Sequence, residues 1–327
     1  MHPLARRYYT ALVLPTNSDF TIDEGGLRRL TRYFMQPGFR EVGGLIVNPE
    51  AGEIFYLDRA EKRRAIEIVL DEANGEIPVF AGLYGSSTSD LLNVTRDAKA
   101  MGVDGIFVIP PGGAMDITYS WDANKYPEVW LDQIKEQDAA VDLPILTHPV
   151  APPSPKFGVG LPLEPTLKIC REVPNIIGWK MTYSYDGYRV IARALREQTS
   201  VGIMGAPAHF FHEAQATGQM DGTVSGCWCY AMEPMLEHLD AWKRGDLEQA
   251  RQIWDSGLAA LHEYIFSEWG RVHVRYKVAS WLRGLTSHPR MRPPMPEPRQ
   301  EEISTISQLL TALNLPLVGD VKARQSA

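Results

Sequence analysis

The chain has 327 residues, 44% of them hydrophobic and 22% charged; it is long enough for one large α/β barrel with an appendage or for two ordinary domains, and its composition excludes disordered, collagen-like and disulfide-scaffold classes. Thirty-three basic residues against forty acidic ones leave a net charge of −7, which argues against nucleic acid or an anionic membrane as the main partner and leaves a small molecule as the expected ligand. Three cysteines, Cys170, Cys227 and Cys229, cannot build a disulfide framework, and the apolar stretch before Pro15 is too short for a secretory signal or a membrane span, so a cytoplasmic protein is expected.

Eight short β-rich runs are predicted as strands, at 9–14, 45–47, 78–83, 105–109, 144–147, 176–181, 201–204 and 222–224. Amphipathic stretches alternate with them at 23–36, 59–73, 87–101, 127–140, 164–172, 188–198 and 207–217, several opened by Thr, Ser or Asp as N-caps. Repeated βα units of this kind predict a (β/α)8 TIM barrel, whose usual size is about 250 residues. Beyond residue 231 only helical periodicity remains, at 234–244, 247–269, 272–285 and 301–313. The expected domains are a catalytic barrel over 1–230 and a helical extension over 231–327. The segment RMRPPMPEP at 290–298 cannot continue a helix, because proline lacks an amide donor and restricts its predecessor; it reads as a spacer between two helices.

Barrel enzymes hold their reacting groups at the C-terminal ends of the strands. Among those ends Lys180, in the apolar context PNIIGWKMT, carries the most chemistry. Desolvation lowers a lysine pKa, and the neutral amine can attack a carbonyl to form an imine that accepts electrons when a neighbouring bond breaks. A lysine reaching solvent or paired with a carboxylate is the alternative at such a position. His209 and His212 have helical i, i+3 spacing but no third metal ligand in sequence; Cys227 and Cys229 lack a second pair at zinc spacing; the paired glycines form no phosphate loop.

Collinear motifs over about 300 residues carry a resemblance: TALVLPTNSDFTID, PEAGEIFYLDRAEKRRAIEIV, PVFAGLYGSSTSD, GVDGIFVIPPGG, PNIIGWKMT, GTVSGCWCYAMEP, WKRGDLEQARQIW and VRYKVASWLRGL. The chain resembles the dihydrodipicolinate synthase and N-acetylneuraminate lyase superfamily of Schiff-base aldolases. The resemblance implies a barrel with a helical C-terminal domain, a homo-oligomer (dimer or tetramer), Lys180 as the imine-forming lysine, and no metal or organic cofactor.

Departures fall on the family's ligand positions. Its Gly-Thr-Thr-Gly-Glu, whose threonines hold a keto-acid carboxylate, reads Pro49-Glu50-Ala51-Gly52-Glu53 here. Glu50 brings an anion to that place, which counts against plain pyruvate. The family's relay tyrosine after the fifth strand is replaced by Thr147 or His148, and His148 is the expected proton carrier, assisted by Thr147 or by Glu50 across the mouth. The tyrosine-bearing loop after the fourth strand reads Pro110-Pro111-Gly112-Gly113, with Tyr119 as a candidate to return a hydroxyl. Tyr183, Gly205 and Ser225 are expected near the substrate with Glu50 and Ala51, and Trp228, Cys229 and Tyr230, where the family often has asparagine, suggest an apolar or aromatic one. The expected function is a Schiff-base lyase acting through Lys180 on a small carbonyl or keto-acid substrate, not plain dihydrodipicolinate synthase. Dehydration of a hydroxylated keto acid by the same imine, and a catalytically retired ligand-binding barrel, are the alternatives.

Overall fold

A computed structural model describes residues 1–112 and 121–318. Its strands are β1 (Tyr8–Ala11), β2 (Gly43–Val47), β3 (Val79–Leu83), β4 (Gly105–Val108), β5 (Ile145–Thr147), a two-stranded excursion of β6 (Val150–Ser154) and β7 (Gly158–Gly160), then β8 (Ile176–Met181), β9 (Gly202–Gly205) and β10 (Gly222–Ser225). The eight predicted runs close into a parallel barrel in the order β1-β2-β3-β4-β5-β8-β9-β10 and back to β1. The β6–β7 hairpin was not predicted: Pro152 and Pro153 lie within its first strand, and proline is tolerated only where no ladder donor is needed.

Alternation along each strand sorts the side chains. Tyr9, Ile46, Phe80, Phe107, Leu146, Met204 and Val224 point inward and form a packed plug, while Leu45, Val47, Ile106 and Ile145 point outward under the helices. The barrel is therefore a solid floor, and a ligand can sit only above it.

The covering helices are α1 (Glu24–Phe34), a short α2 (Pro37–Arg40), α3 (Arg59–Ala73), α4 (Thr88–Met101), α5 (Glu128–Val141), α6 (Leu163–Glu172), α7 (Tyr185–Gln198) and α8 (Phe211–Ala216). Their starts follow the capping signals: the Asp23 carboxylate accepts from the Gly26 amide, Asp58 and Glu61 form a capping box, and Ser87 caps α4. The next helix, α9 (Trp228–Arg244), packs on β1 and α2 and completes the barrel's outer ring. The expected 230/231 boundary thus falls inside a helix, close to its kink at Ala231 and Pro234.

Beyond it lie α10 (Leu247–Ile253), α11 (Ala259–Phe266), α12 (Val272–Leu282) and α13 (Gln300–Ala312). The single helix predicted at 247–269 is broken by a wide turn over Trp254–Leu258, where Gly257 has φ +125°. α12 is buried at every residue but His273 and tied down at both ends. At one end Arg271 and Arg275 converge on the buried Glu302 of α13, with Nε atoms 2.9 and 3.0 Å from Oε1. In the middle of the helix Lys277 reaches Glu53 of the barrel at 2.6 Å, both side chains fully buried, and just past the other end Arg283 pairs with Glu233 at 2.8 Å. The proline-rich segment runs between α12 and α13 as expected, and Arg292 within it pairs with Glu61 at 2.6 Å.

Candidate active site

The register between β5 and β8 slips by one residue. Ile145 faces Ile176, but Leu146 faces Gly178 and Thr147 faces Trp179, so Ile177 is an extra residue. The slip brings Lys180 level with His148, and both point inward above the plug. Lys180 Nζ lies 3.2 and 3.3 Å from the two ring nitrogens of His148. The imidazole stacks on Phe107, centroids 5.7 Å apart, and Phe107 also lies 5.6 Å beneath Lys180 Nζ. Glu50 closes the set from the first of two 3-10 turns after β2, Glu50–Gly52, its Oε2 3.0 Å from His148 Nδ1.

Burial alone would raise the Glu50 carboxyl, but His148, His273 and Lys180 around it outweigh that and hold its pKa at about 2. Burial lowers His148 below the ordinary imidazole range, with Glu50 opposing and the Lys180 charge adding to the effect. A neutral His148 facing an anionic Glu50 carries its proton on Nδ1, which leaves Nε2 as the unprotonated ring nitrogen, 3.2 Å from Lys180 Nζ. Burial also brings Lys180 down to about 8, partly offset by Glu50. About a tenth of it is then the free amine at pH 7. The arrangement is a nucleophilic amine, a base beside it and a carboxylate that orients the base.

Above these groups opens a cavity of about 480 Å³, within the range that holds ligands of drug size. Phe55, Tyr56, Trp121, Phe266 and Trp269 give it aromatic walls, and the β6–β7 hairpin contributes Pro152 and Pro153. Its other polar lining was not expected. His273 and Tyr276 of α12 face it, and Tyr276 is hydrogen-bonded to Ser225. Burial lowers His273 to about 4 and pushes Tyr276 well above its usual range. Thr182 lines the cavity with its hydroxyl buried and unpartnered. The i, i+3 spacing of His273 and Tyr276 in VHVRYKVASWL was a readable signal, but a search confined to strand ends passes over a helix of the C-terminal region.

Of the expected site residues, Lys180, His148, Glu50, Ala51 and Ser225 line the cavity, as do Pro110, Pro111 and Gly112. Thr147 does not: strand alternation turns it outward, and its hydroxyl donates to the Gly178 carbonyl at 3.3 Å. Tyr183 lies behind β8, where its hydroxyl accepts from the Trp179 indole at 2.9 Å and sits 3.5 Å from that of Thr166. Gly205 also faces outward, and a Cβ there would come within 2.4 Å of Met220 Sδ, so helix packing accounts for the glycine. Trp228 donates to Thr223, and Tyr230 meets His262 at 3.0 Å, both away from the cavity. His212 meets His238 rather than His209, Nδ1 to Nε2 3.0 Å; among the described residues no group of three or more His, Cys, Asp and Glu side chains could hold a metal ion. Gly113 and Tyr119 lie outside the described residues.

The sequence profile of the dihydrodipicolinate synthetase family matches residues 4–313. The chain belongs to this family. Like its other members it is a lyase of the class I aldolase type. A 4-hydroxy-tetrahydrodipicolinate synthase of Methanopyrus kandleri is 32% identical over 311 residues, 93% of this chain and 95% of that one. Among solved structures, the dihydrodipicolinate synthase of Aquifex aeolicus superposes with a TM-score of 0.78 at 23% identity, covering 96% of this chain and 99% of the other. A catalytic-lysine mutant of a Ruminococcus gnavus sialic acid aldolase gives 0.78 at 20% identity, with 99% of each chain covered. Both structures share the barrel with its C-terminal helices. No helix among the described residues is long and apolar enough to cross a membrane.

Proposed function

We propose that this member of the dihydrodipicolinate synthetase family makes or breaks a carbon–carbon bond next to a carbonyl held as an imine on Lys180. The observation that carries the reading is the Lys180 amine itself: it faces the cavity, its pKa is brought to about 8 by burial, and it touches His148 rather than a carboxylate. The neutral amine adds to the carbonyl carbon, a proton passes from nitrogen to the new alkoxide, and a second proton, taken up from solvent and delivered by His148, lets that hydroxyl leave as water to give an iminium. In the cleavage direction, loss of a proton from the β-hydroxyl lets the carbon–carbon bond break; its electron pair flows into the iminium to give an enamine, and an aldehyde departs. Protonation of the enamine carbon and hydrolysis then return the amine and release the second carbonyl product.

His148 Nε2 is the proton carrier in these steps, held in its tautomer by Glu50. Glu50, Ala51 and Ser225 shape the place where substrate binds. The imine supplies the electron sink, so the chemistry calls for no metal or organic cofactor. The family likeness extends the proposal to a cytoplasmic homo-oligomer, dimer or tetramer, with the catalytic barrel and helical region as its two parts.

Borohydride reduction in the presence of a panel of carbonyl compounds tests the lysine. A mass increment equal to the reduced adduct is expected on the peptide carrying Lys180 and is expected to vanish in Lys180→Met. No adduct with any carbonyl compound, or an adduct only on another residue, overturns the imine reading.

A further inference from the structure

We infer that the substrate carbonyl is a neutral, aryl-bearing ketone or aldehyde with no carboxylate beside the carbonyl. The inference rests on the Lys180 imine proposed above and deepens it by naming the substrate class.

Glu50 lies 3.0 Å from His148, which in turn lies 3.2 Å from Lys180 Nζ, so an anion already stands one side chain away from where the reacting carbon must sit. A carboxylate attached to that carbon would enter the same water-poor space and meet like charge. A cation to offset it is missing. Among the described residues no arginine and no second lysine lines the cavity, and the one positive charge there, on the Lys180 nitrogen, already has Glu50 facing it across His148. Six of the lining residues, Pro49, Pro110, Pro111, Pro152, Pro153 and Pro207, have no main-chain N–H to offer an anion. Ser225, Thr182 and Tyr276 supply neutral hydroxyls.

Glu50 also has a positive task. An iminium formed from an α-keto acid carries its own counter-charge in the adjacent carboxylate, whereas one formed from a simple ketone or aldehyde does not. Here the protein provides the anion, placed to balance the positive charge of the iminium nitrogen. At the outer end of the cavity Phe55 and Trp269 are 42% and 50% exposed, so aromatic surface is left open at the mouth. With Tyr56, Trp121 and Phe266 they form a cleft suited to a flat ring.

Matched pairs test the charge with shape held constant: benzylideneacetone against benzylidenepyruvate, and phenylacetone against phenylpyruvate. For each compound the rate of borohydride trapping on Lys180 is measured in the wild type and in Glu50→Gln, so that intrinsic carbonyl reactivity cancels in the ratio. Glu50→Gln is expected to raise trapping of the two keto acids about tenfold relative to their neutral partners, and both neutral compounds are expected to be trapped by the wild type. Keto acids trapped equally well with and without the Glu50 charge, or neutral compounds never trapped while keto acids are, overturn the substrate class and leave the lysine imine standing. Absence of adduct with all four overturns the substrate class, and the panel above decides separately whether the imine reading falls with it.

Discussion

Two carboxylates three residues apart, Glu50 and Glu53, serve the two ends of the molecule's physics. Glu53 meets Lys277 directly at 2.6 Å with both side chains sealed from solvent, and its second oxygen accepts from the Arg292 amide at 2.9 Å. Lys277 also donates to the Thr16 hydroxyl at 3.3 Å, and the pair joins the barrel to α12. Glu50 reaches its lysine only through an intervening imidazole, at the edge of a 480 Å³ cavity. Burial depresses both lysines, yet only Lys180 has space in front of its amine. A desolvated lysine is therefore a fastener when a carboxylate caps it and a nucleophile when the next group is a base and the space beyond is open. Lys277 also holds the turn that presents Glu50, because Glu53 sits in a left-handed conformation with φ +64°, one that a non-glycine residue keeps only when its surroundings hold it there.

Replacing each lysine by methionine breaks the comparison most sharply. Lys180→Met is expected to abolish turnover, by about 10⁴-fold or more, while the melting temperature stays level or rises, since a desolvated cation has been removed. Lys277→Met is expected to lose about 3–5 kcal/mol of stability, because Glu53 remains buried without its cation. The double variant Glu53→Gln/Lys277→Met should recover part of that loss. Thermal unfolding alongside turnover reads all three, and a Lys277→Met protein as stable as the wild type would remove the fastener role.

The base between Glu50 and Lys180 is expected to be worth less than the nucleophile. His148→Gln keeps the size and a hydrogen bond but cannot carry a proton, so turnover should fall by about 10²–10⁴-fold while the reduced Lys180 adduct still forms. Single-turnover measurements separate the two. Unchanged turnover under conditions where chemistry limits the rate would remove His148 from the reaction.

Much of this was legible in the sequence, for identifiable reasons. The strand run at 176–181 and the helix at 59–73 were readable to the residue, since apolar periodicity and caps agree there. Lys180 was legible because barrel sites sit at strand ends. The choice between Thr147 and His148 was not, because it turns on which face of β5 each occupies, and a one-residue difference reverses that assignment. Tyr183 and Gly205 were misplaced for the same reason: proximity in sequence to a strand end does not give the side the residue faces. His273 and Tyr276 show an i, i+3 spacing, but their place over the cavity was hidden, because α12 is held there by core packing and by long-range ion pairs, Arg271 and Arg275 with Glu302 and Lys277 with Glu53, that leave no local pattern.

The smallest effect sharpens the comparison by way of pH. Since Lys180 titrates near 8 rather than at the ordinary lysine value of 10.5, its labelling by trinitrobenzenesulfonate should level off above about pH 8 and fall tenfold per unit below it. Glu50 favours the ammonium, so removing its charge disfavours protonation: in Glu50→Gln the inflection should move below 8. Lys277, capped by Glu53 and closed to reagent, should remain unlabelled throughout this range. Peptide mass spectrometry after brief labelling at a series of pH values measures both lysines in one sample. An inflection near 10.5 would make Lys180 an ordinary surface amine. A shift upward in Glu50→Gln would show that the carboxylate does not act on the lysine as their separation by a single imidazole implies.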